Sequence, residues 1–241
     1  MYTFDSRIRY SEVDSEGKLS FLSLLNYFQD CSTFQSEDLG VGVKYAQEQN
    51  LVWVLASWQI VVEEYPKLAD EVTVGTFPYE FKAFLGSRNF AMLNKEGKYL
   101  AKASSIWSLL GTETGKPMLP TEKMLQSYVL EEKLAMDYAP RKIVIPDGGS
   151  RRDSIVVKKH HLDTNHHVNN GQYVNMAMDY LPNGFVIRQM RAEYKKQAFL
   201  EDILYPYVVE MENGYVIALN GLDEKPYFVA EFLGKEAVKD R

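Results

Sequence analysis

Apolar and polar positions follow two rhythms along the chain, and the same succession of rhythms occurs twice. Phe4–Tyr10 alternates as a strand does. From about Ser20 the period changes: Phe21, Leu24, Leu25, Phe28 and Cys31 fall at three- and four-residue intervals, the mark of a helix with one buried face, and Gly40 after Leu39 supplies its stop. Four strand-like runs follow, WVLASWQIVV, EVTVGTFPYEF, SRNFAMLN and KYLAKASSIWSLL, with KEGK predicting a hairpin between the last two. The second half begins with a strand, DSIVVKKH, and continues with a helix carrying Tyr173, Met176, Ala177, Tyr180 and Leu181. Its strands are FVIRQMRAEY, DILYPYVVEME, YVIALNG and PYFVAEFL, with Asn213-Gly214 expected to supply the positive φ of a hairpin turn.

Comparing the chain with itself sharpens this. Asp14 precedes Asn26 by twelve residues and Asp163 precedes Asn175 by the same twelve, each asparagine lying in the helical pattern. Further on, YPKLADEVTV resembles KQAFLEDILY. A strand, a long helix and four strands with short connections are most economically packed as an antiparallel sheet wrapped around the helix. The expected fold class is therefore α+β, a double hotdog, with one hotdog over 1–138, a linker over 139–149 and a second hotdog over 150–241. Pro140, Pro146 and Gly148-Gly149 punctuate the linker, and a short helix is expected before it.

Composition limits the functions. With 46% hydrophobic residues the chain has ample material for a core, yet no run approaches the ~18 apolar residues of a membrane span, and the first residues lack a signal-peptide core. A cytoplasmic protein is expected. The single cysteine, Cys31, reads as a small apolar helix residue rather than a nucleophile. A net charge of −6 argues against nucleic acid as the main partner, although Arg151-Arg152, Lys158-Lys159 and Lys195-Lys196 form local basic pairs.

All four histidines lie in KKHHLDTNHHVNNGQYV. A metal site explains them poorly, because the adjacent pairs His160-His161 and His166-His167 splay apart in an extended chain; no metal and no cofactor are expected. Asp163, Asn165 and His167 alternate, so in an extended segment they share a face just before a helix N-terminus. Two readings fit that spacing: a catalytic constellation, with the backbone N–H groups of Val168, Asn169 and Asn170 as oxyanion donors, or an Asx-rich helix cap. In the first half Glu16, Lys18 and Ser20 stand at the places of Asn165, His167 and Asn169, so that half, which lacks the histidine, is expected to be non-catalytic and to provide a pocket and the sheet partner. Phe21, Leu24, Leu25, Phe28, Trp53 and Trp58 are candidates for core or pocket lining, whereas Trp107 and the TETGKP turn read as structural.

The runs YSEVDSEGKLS, LVWVLASWQIVVEEYPKLADEV, AKASSIWSLLGTETGKPMLP and LDTNHHVNNGQY, in this order, resemble the acyl-acyl carrier protein (acyl-ACP) thioesterases of plants and bacteria over nearly the whole chain. The resemblance implies hydrolysis of fatty acyl thioesters on acyl carrier protein, with Asp163, Asn165 and His167 at the catalytic positions. Asn165 would orient the water or the thioester carbonyl, and Asp163 or His167 would take the proton. The sequence departs from the plant pattern at Gln197 and Ala198, where plant members carry a glutamate and, in some, a cysteine. An amide cannot accept that proton, so Gln197 is expected to hold the water instead. Glu193, four residues earlier, is the lesser substitute base. An acidic carrier should meet a local basic patch, for which Arg151, Lys158 and Lys195 are the candidates. An acyl-CoA thioesterase or a non-hydrolytic acyl-binding protein are the alternatives, and the chain could be monomeric or a homodimer.

Overall fold

The helical stripe that opens at Phe21 forms the centre of the first half. In the computed structural model, which describes residues 1–236, helix α1 spans Phe21–Asp38. Ser20 caps it, its hydroxyl accepting the Ser23 N–H at 3.2 Å, and Gly40 leaves it with φ +66°. Phe21, Leu24, Leu25, Phe28 and Cys31 are all buried along one face. The Phe28 ring lies 5.5 Å from that of Phe90, and the Cys31 thiol reaches the Val74 carbonyl at 3.6 Å. Burial pushes that thiol up to about 12, so Cys31 packs as an apolar residue and not as a nucleophile.

The chain divides into two compact units, Met1–Ala56 with Ile60–Tyr138, and Ser57–Gln59 with Ala139 onward. The first unit wraps α1 with β1 (Tyr2–Arg7), β2 (Leu51–Val62), β3 (Glu71–Lys82), β4 (Leu85–Asn94) and β5 (Tyr99–Gly111), in the order β1-β3-β4-β5-β2. The pairings β1·β3, β3·β4 and β4·β5 are antiparallel. Helices α2 (Val43–Glu48) and α3 (Glu122–Ser127) close a smaller core in which Ala46 and Met124 pack with Val41, Leu51 and Leu109. The second unit has β6 (Ser150–Arg151), β7 (Ile155–Val156), helix α4 (Asn170–Met178), β8 (Phe185–Tyr194), β9 (Ile203–Met211), β10 (Gly214–Asn220) and β11 (Pro226–Glu236). Its strand order is β8-β11-β10-β9-β6, with β7 also on β9. Tyr173 of α4 stacks on Phe228 of β11 at 5.5 Å. Each unit is thus an antiparallel sheet curled on one helix, the hotdog arrangement.

Extended straps are tied down within each unit by buried polar groups. In the first unit the Asn89 carboxamide oxygen accepts the Leu134 N–H at 3.2 Å and the Tyr138 hydroxyl at 3.0 Å. In the second, Glu193 accepts the Ile143 N–H at 3.0 Å, Arg191 donates to the Pro140 carbonyl at 2.8 Å, and Ile143 packs on Val209, Val216, Ala218 and Val229. Residues 139–149 are therefore an ordered strap without regular secondary structure. The last residues of the expected second hotdog, 237–241, lie outside those described.

Four expectations need correction. The first strand stops at Arg7, and Tyr10–Glu12 is a 3-10 turn. The run DSIVVKKH is mostly not strand: β6 and β7 flank Pro206 of β9, which has no N–H for a continuous ladder, and Lys159–His161 forms another 3-10 turn. Helix α4 ends at Met178, short of Tyr180 and Leu181, because Pro182 disfavours helical backbone at Leu181. The β9–β10 turn consists of Glu212 and Asn213, with only Gly214 at positive φ (157°); a Cβ there would sit 1.9 Å from the Phe232 carbonyl oxygen, so close approach requires the glycine. Of the lining candidates, Phe21, Leu24, Leu25, Phe28 and Trp58 are buried core, whereas Trp53 is half-buried against Phe81. The Trp107 indole N–H donates to Ser105 at 2.8 Å, and Gly115 of the TETGKP turn takes φ +62°.

Helix α1 provides a direct check on this packing. Phe28→Ala should cost about 3–5 kcal/mol by leaving a cavity under the sheet. Phe34→Ala, on the same helix but 45% exposed, should cost under about 1 kcal/mol. Denaturant titration of both variants against the parent measures the difference.

Candidate active site

Residues 162–168 do not run as an extended segment; they close into a loop on the Asp163 carboxylate. Asp163 Oδ1 accepts the backbone N–H groups of Asn165 at 2.8 Å and His167 at 3.2 Å. The Asp163 N–H donates to the His167 carbonyl at 2.8 Å, the His166 N–H to the Asp163 carbonyl at 3.1 Å, and Leu162 bridges to Val168. His166 turns the corner at φ +61°, a conformation that costs a non-glycine residue about 1 kcal/mol. Asn169 then caps α4 by accepting the Gly171 N–H at 2.8 Å. The expected face-sharing of Asp163, Asn165 and His167 by strand alternation is thus replaced by an Asx turn.

The first unit contains the same loop. Asp14 Oδ1 accepts the N–H groups of Glu16 at 2.9 Å and Lys18 at 3.0 Å, the Asp14 N–H donates to the Lys18 carbonyl at 2.8 Å, and Val13 bridges to Leu19. Gly17, at φ +73°, stands where His166 stands, and Ser20 where Asn169 stands. The side chains of Glu16 and Lys18 meet as an ion pair at 2.7 Å, so these two loop positions face the same side. By that equivalence the second loop presents Asn165 and His167 side by side. Its aspartate meets His167 through the main-chain N–H.

A second loop, 195–200, is docked against the first. The Val168 N–H donates to the Ala198 carbonyl at 2.9 Å, and the Ala198 N–H donates to the Tyr173 hydroxyl at 2.7 Å. Burial raises the Tyr173 hydroxyl far above the ordinary tyrosine range, which keeps it a neutral donor and acceptor. Gln197 is exposed beside this anchor, and the Phe199 ring meets the His167 ring edge-on at 4.9 Å and 79°. Phe199 was not anticipated, although aligning QAFLED with YPKLAD places it opposite Lys67.

Several candidates are already engaged. Two of the amides assigned to an oxyanion, those of Val168 and Asn169, donate to the carbonyls of Ala198 and His161 (2.8 Å), because they hold this loop to its neighbours. Strand β8 ends at Tyr194, so Glu193 and Gln197 share no strand face. Glu193 is buried and pairs with Lys195 at 3.0 Å, which commits the Lys195 charge as well. The Arg151 guanidinium lies 4.1 Å above the Tyr205 ring. Lys158 is exposed. Among the described residues no group of three or more His, Cys, Asp or Glu side chains is disposed to hold a metal ion.

His161 stabilises the entry to the loop as a neutral ring. Its Nδ1 accepts the Lys158 N–H at 3.0 Å, and burial, the adjacent His160 and Lys158 all lower its pKa. The resulting arrangement offers an imidazole and a carboxamide on one side of a rigid loop at the start of α4, with a second carboxamide on the docked loop. Such groups can accept a proton and orient or polarise a carbonyl.

Two family descriptions match the chain: acyl-ACP thioesterase N-terminal domain over residues 1–128 and acyl-ACP thioesterase C-terminal domain over residues 146–218. A chloroplastic acyl-[acyl-carrier-protein] hydrolase of Cuphea viscosissima is 25% identical, aligned over 91% of this chain and 61% of its own length. The chain thus spans under two thirds of that relative. Among solved structures, an acyl-ACP thioesterase from Bacteroides thetaiotaomicron superposes with a TM-score of 0.87 at 24% identity, covering 97% of each chain. The 12:0-ACP thioesterase from Umbellularia californica superposes with a TM-score of 0.85 at 18% identity, covering 98% of each. These likenesses establish the double-hotdog fold.

The His161 ring gives the loop a pH dependence of definite sign. Since its folded pKa is depressed below 6.5, its contribution is present above the unfolded value and is lost as pH falls below about 6.5 through the folded pKa. Replacing it by glutamine keeps an acceptor that does not titrate. Comparing the unfolding free energies of wild type and His161→Gln between pH 8 and pH 5 should show a steeper acid loss in the wild type.

Proposed function

The chain belongs to the acyl-ACP thioesterase family, and from that premise we propose that it hydrolyses fatty acyl thioesters carried on acyl carrier protein, releasing free fatty acid and the carrier thiol. Water adds to the thioester carbonyl carbon, the C–S bond breaks, and the water proton passes by way of His167 to the departing sulfur. Asn165 donates from its carboxamide to the carbonyl oxygen as negative charge develops there, aided by the positive end of the α4 dipole at Asn170. Gln197 holds the attacking water. Asp163 positions both neighbours through the main chain and takes no proton. The reaction is assigned to the cytoplasm, in keeping with the one cysteine being a buried free thiol.

One observation carries this division of roles: the Asp14 loop repeats the Asp163 loop bond for bond while holding Glu16 and Lys18 in place of Asn165 and His167. An aspartate that does the same main-chain work in a unit without the histidine is a loop acceptor. The side chains that distinguish the second unit are then the reactive ones. Carrier protein is favoured over coenzyme A as the bearer because the matching family acts on acyl-ACP, and exposed Lys158 and Lys159 beside this loop suit an acidic partner.

Turnover of a matched panel of acyl-ACP and acyl-CoA substrates tests the proposal. His167→Ala should lower kcat by about 10²–10⁴, the typical contribution of general-base assistance. Asp163→Asn retains an acceptor oxygen and should lower kcat by less than about tenfold. Equal damage from the two would return the base to Asp163, and wild-type turnover no greater than that of His167→Ala would remove the hydrolase reading. Lys158→Glu should raise KM for acyl-ACP roughly three- to tenfold at low ionic strength and less in high salt; a preference for acyl-CoA would contradict the carrier assignment.

A further inference from the structure

The frame shared by the two units extends past the Asp loop, and one patch of it differs in chemistry. Ile8 donates its N–H to the Asp70 carbonyl and Val157 to the Asp202 carbonyl, both at 2.9 Å. Ala69 and Glu201 are the matching left-handed residues, at φ +73° and +71°. Asp70 Oδ2 accepts the Lys67 N–H at 2.8 Å, as Asp202 Oδ2 accepts that of Phe199 at 2.9 Å. Arg7 pairs with Glu71 across two strands, as Val156 pairs with Ile203. The frame thus equates Arg7, Lys67, Leu68 and Glu71 with Val156, Phe199, Leu200 and Ile203. Three charged positions in the first unit are apolar in the second, yet those four apolar residues remain 42–49% exposed.

The main chain holds these residues close together. Val156 and Ile203 are cross-strand partners, the Glu201 N–H ties the Phe199-Leu200 turn to Val157 at 3.0 Å, and Phe199 touches the His167 ring. Scattered exposed apolar residues need no explanation, but a close-set group beside a reactive side chain marks a contact surface. Resting on the hydrolase reading above, we propose that Val156, Phe199, Leu200 and Ile203 form the seat of the acidic acyl carrier protein. Charge selects that occupant. Exposed Lys158 and Lys159 follow Val156-Val157 in the chain and outnumber the one exposed carboxylate of the turn, Glu201, while Asp163 and Asp202 turn oxygens to backbone N–H groups. Apolar residues with a net positive charge beside them complement an acidic protein surface with an apolar contact point.

The combined variant Val156→Arg, Ile203→Glu installs the residues that the same frame already carries at Arg7 and Glu71, so the fold has a precedent for it. Its binding to a carrier bearing an amide-linked, non-hydrolysable acyl-phosphopantetheine should weaken at least tenfold by calorimetry, while hydrolysis of a small acyl thioester, acyl-N-acetylcysteamine, stays within about twofold. An unchanged Kd overturns the proposal, as does a wild type that fails to bind this carrier. An equal loss with the small thioester also overturns it, since the patch would then serve the acyl chain. A wild-type dimer that becomes monomeric in the variant, at unchanged carrier affinity, overturns it in favour of a second copy as occupant. Small-thioester hydrolysis by wild type and His167→Ala reports separately on the hydrolase reading.

Discussion

A carboxylate that accepts two backbone N–H groups two and four residues ahead of it organises the entrance to each central helix. Without that acceptor the amides of residues 165 and 167, or 16 and 18, would have to find water while the chain reverses direction, and the loop would lose its fixed shape. Charge-assisted bonds of this kind contribute more than neutral ones, about 1.5–3 kcal/mol each. They are short-range, so they set geometry locally and leave the neighbouring side chains free to differ. The two units exploit that freedom in opposite ways: an ion pair on one loop, an imidazole and a carboxamide on the other.

The surrounding structure keeps that loop from drifting. Val168 is bonded to Ala198, Ala198 to the Tyr173 hydroxyl, and Tyr173 stacks on Phe228 in the sheet. A displacement at His167 would therefore disturb a buried hydrogen-bonded chain and an aromatic stack together. The bidentate Arg191–Glu231 pair, with both N···O distances at 2.7 Å, and the Pro140 carbonyl on the same guanidinium hold the strap of the second unit. In the first unit the buried Arg88 has no carboxylate partner among the described residues. It donates to Gln35 and to Thr76 and lies 5.4 Å over the Tyr128 ring, and desolvation lowers its pKa. Neutral dipoles and a ring face thus solvate a charge inside the helix–sheet interface.

Duplication of a frame with divergence of its side chains also explains why the apparent richness of the histidine cluster misleads. His160 packs against His161, His161 accepts a backbone N–H as a neutral ring, and His166 occupies the corner that Gly17 occupies in the other unit. His167, by contrast, packs edge-on against Phe199 of the docked loop and corresponds to Lys18 in the other unit. The departure at Gln197 becomes intelligible on the same terms. It lies exposed on a loop beyond β8, at the position of Tyr65 in the first unit, and so is not bound by the pairing of that strand.

Much was legible in the sequence because it depends on period and local chemistry. The α1 stripe and its start near Ser20, the Gly40 stop, the span of β8 and the internal repeat all follow from residues close in the chain, whose preferences the core reinforced. Of the two readings of Asp163–His167 the Asx-rich cap is seen directly, and it leaves the side chains of Asn165 and His167 out of the loop's main-chain bonding. Other features required partners distant in sequence. Pro206 interrupted a strand fifty residues away, Ile143 and Leu134 consumed the polar groups of Glu193 and Asn89, and Ala198 and His161 took the amides that spacing offered to an oxyanion. Hydrogen bonding is saturable: a group is available for chemistry only if no other part of the fold has reached it first. Sequence determined which residues could cap, pack or react, and tertiary structure decided which of them were left to do so.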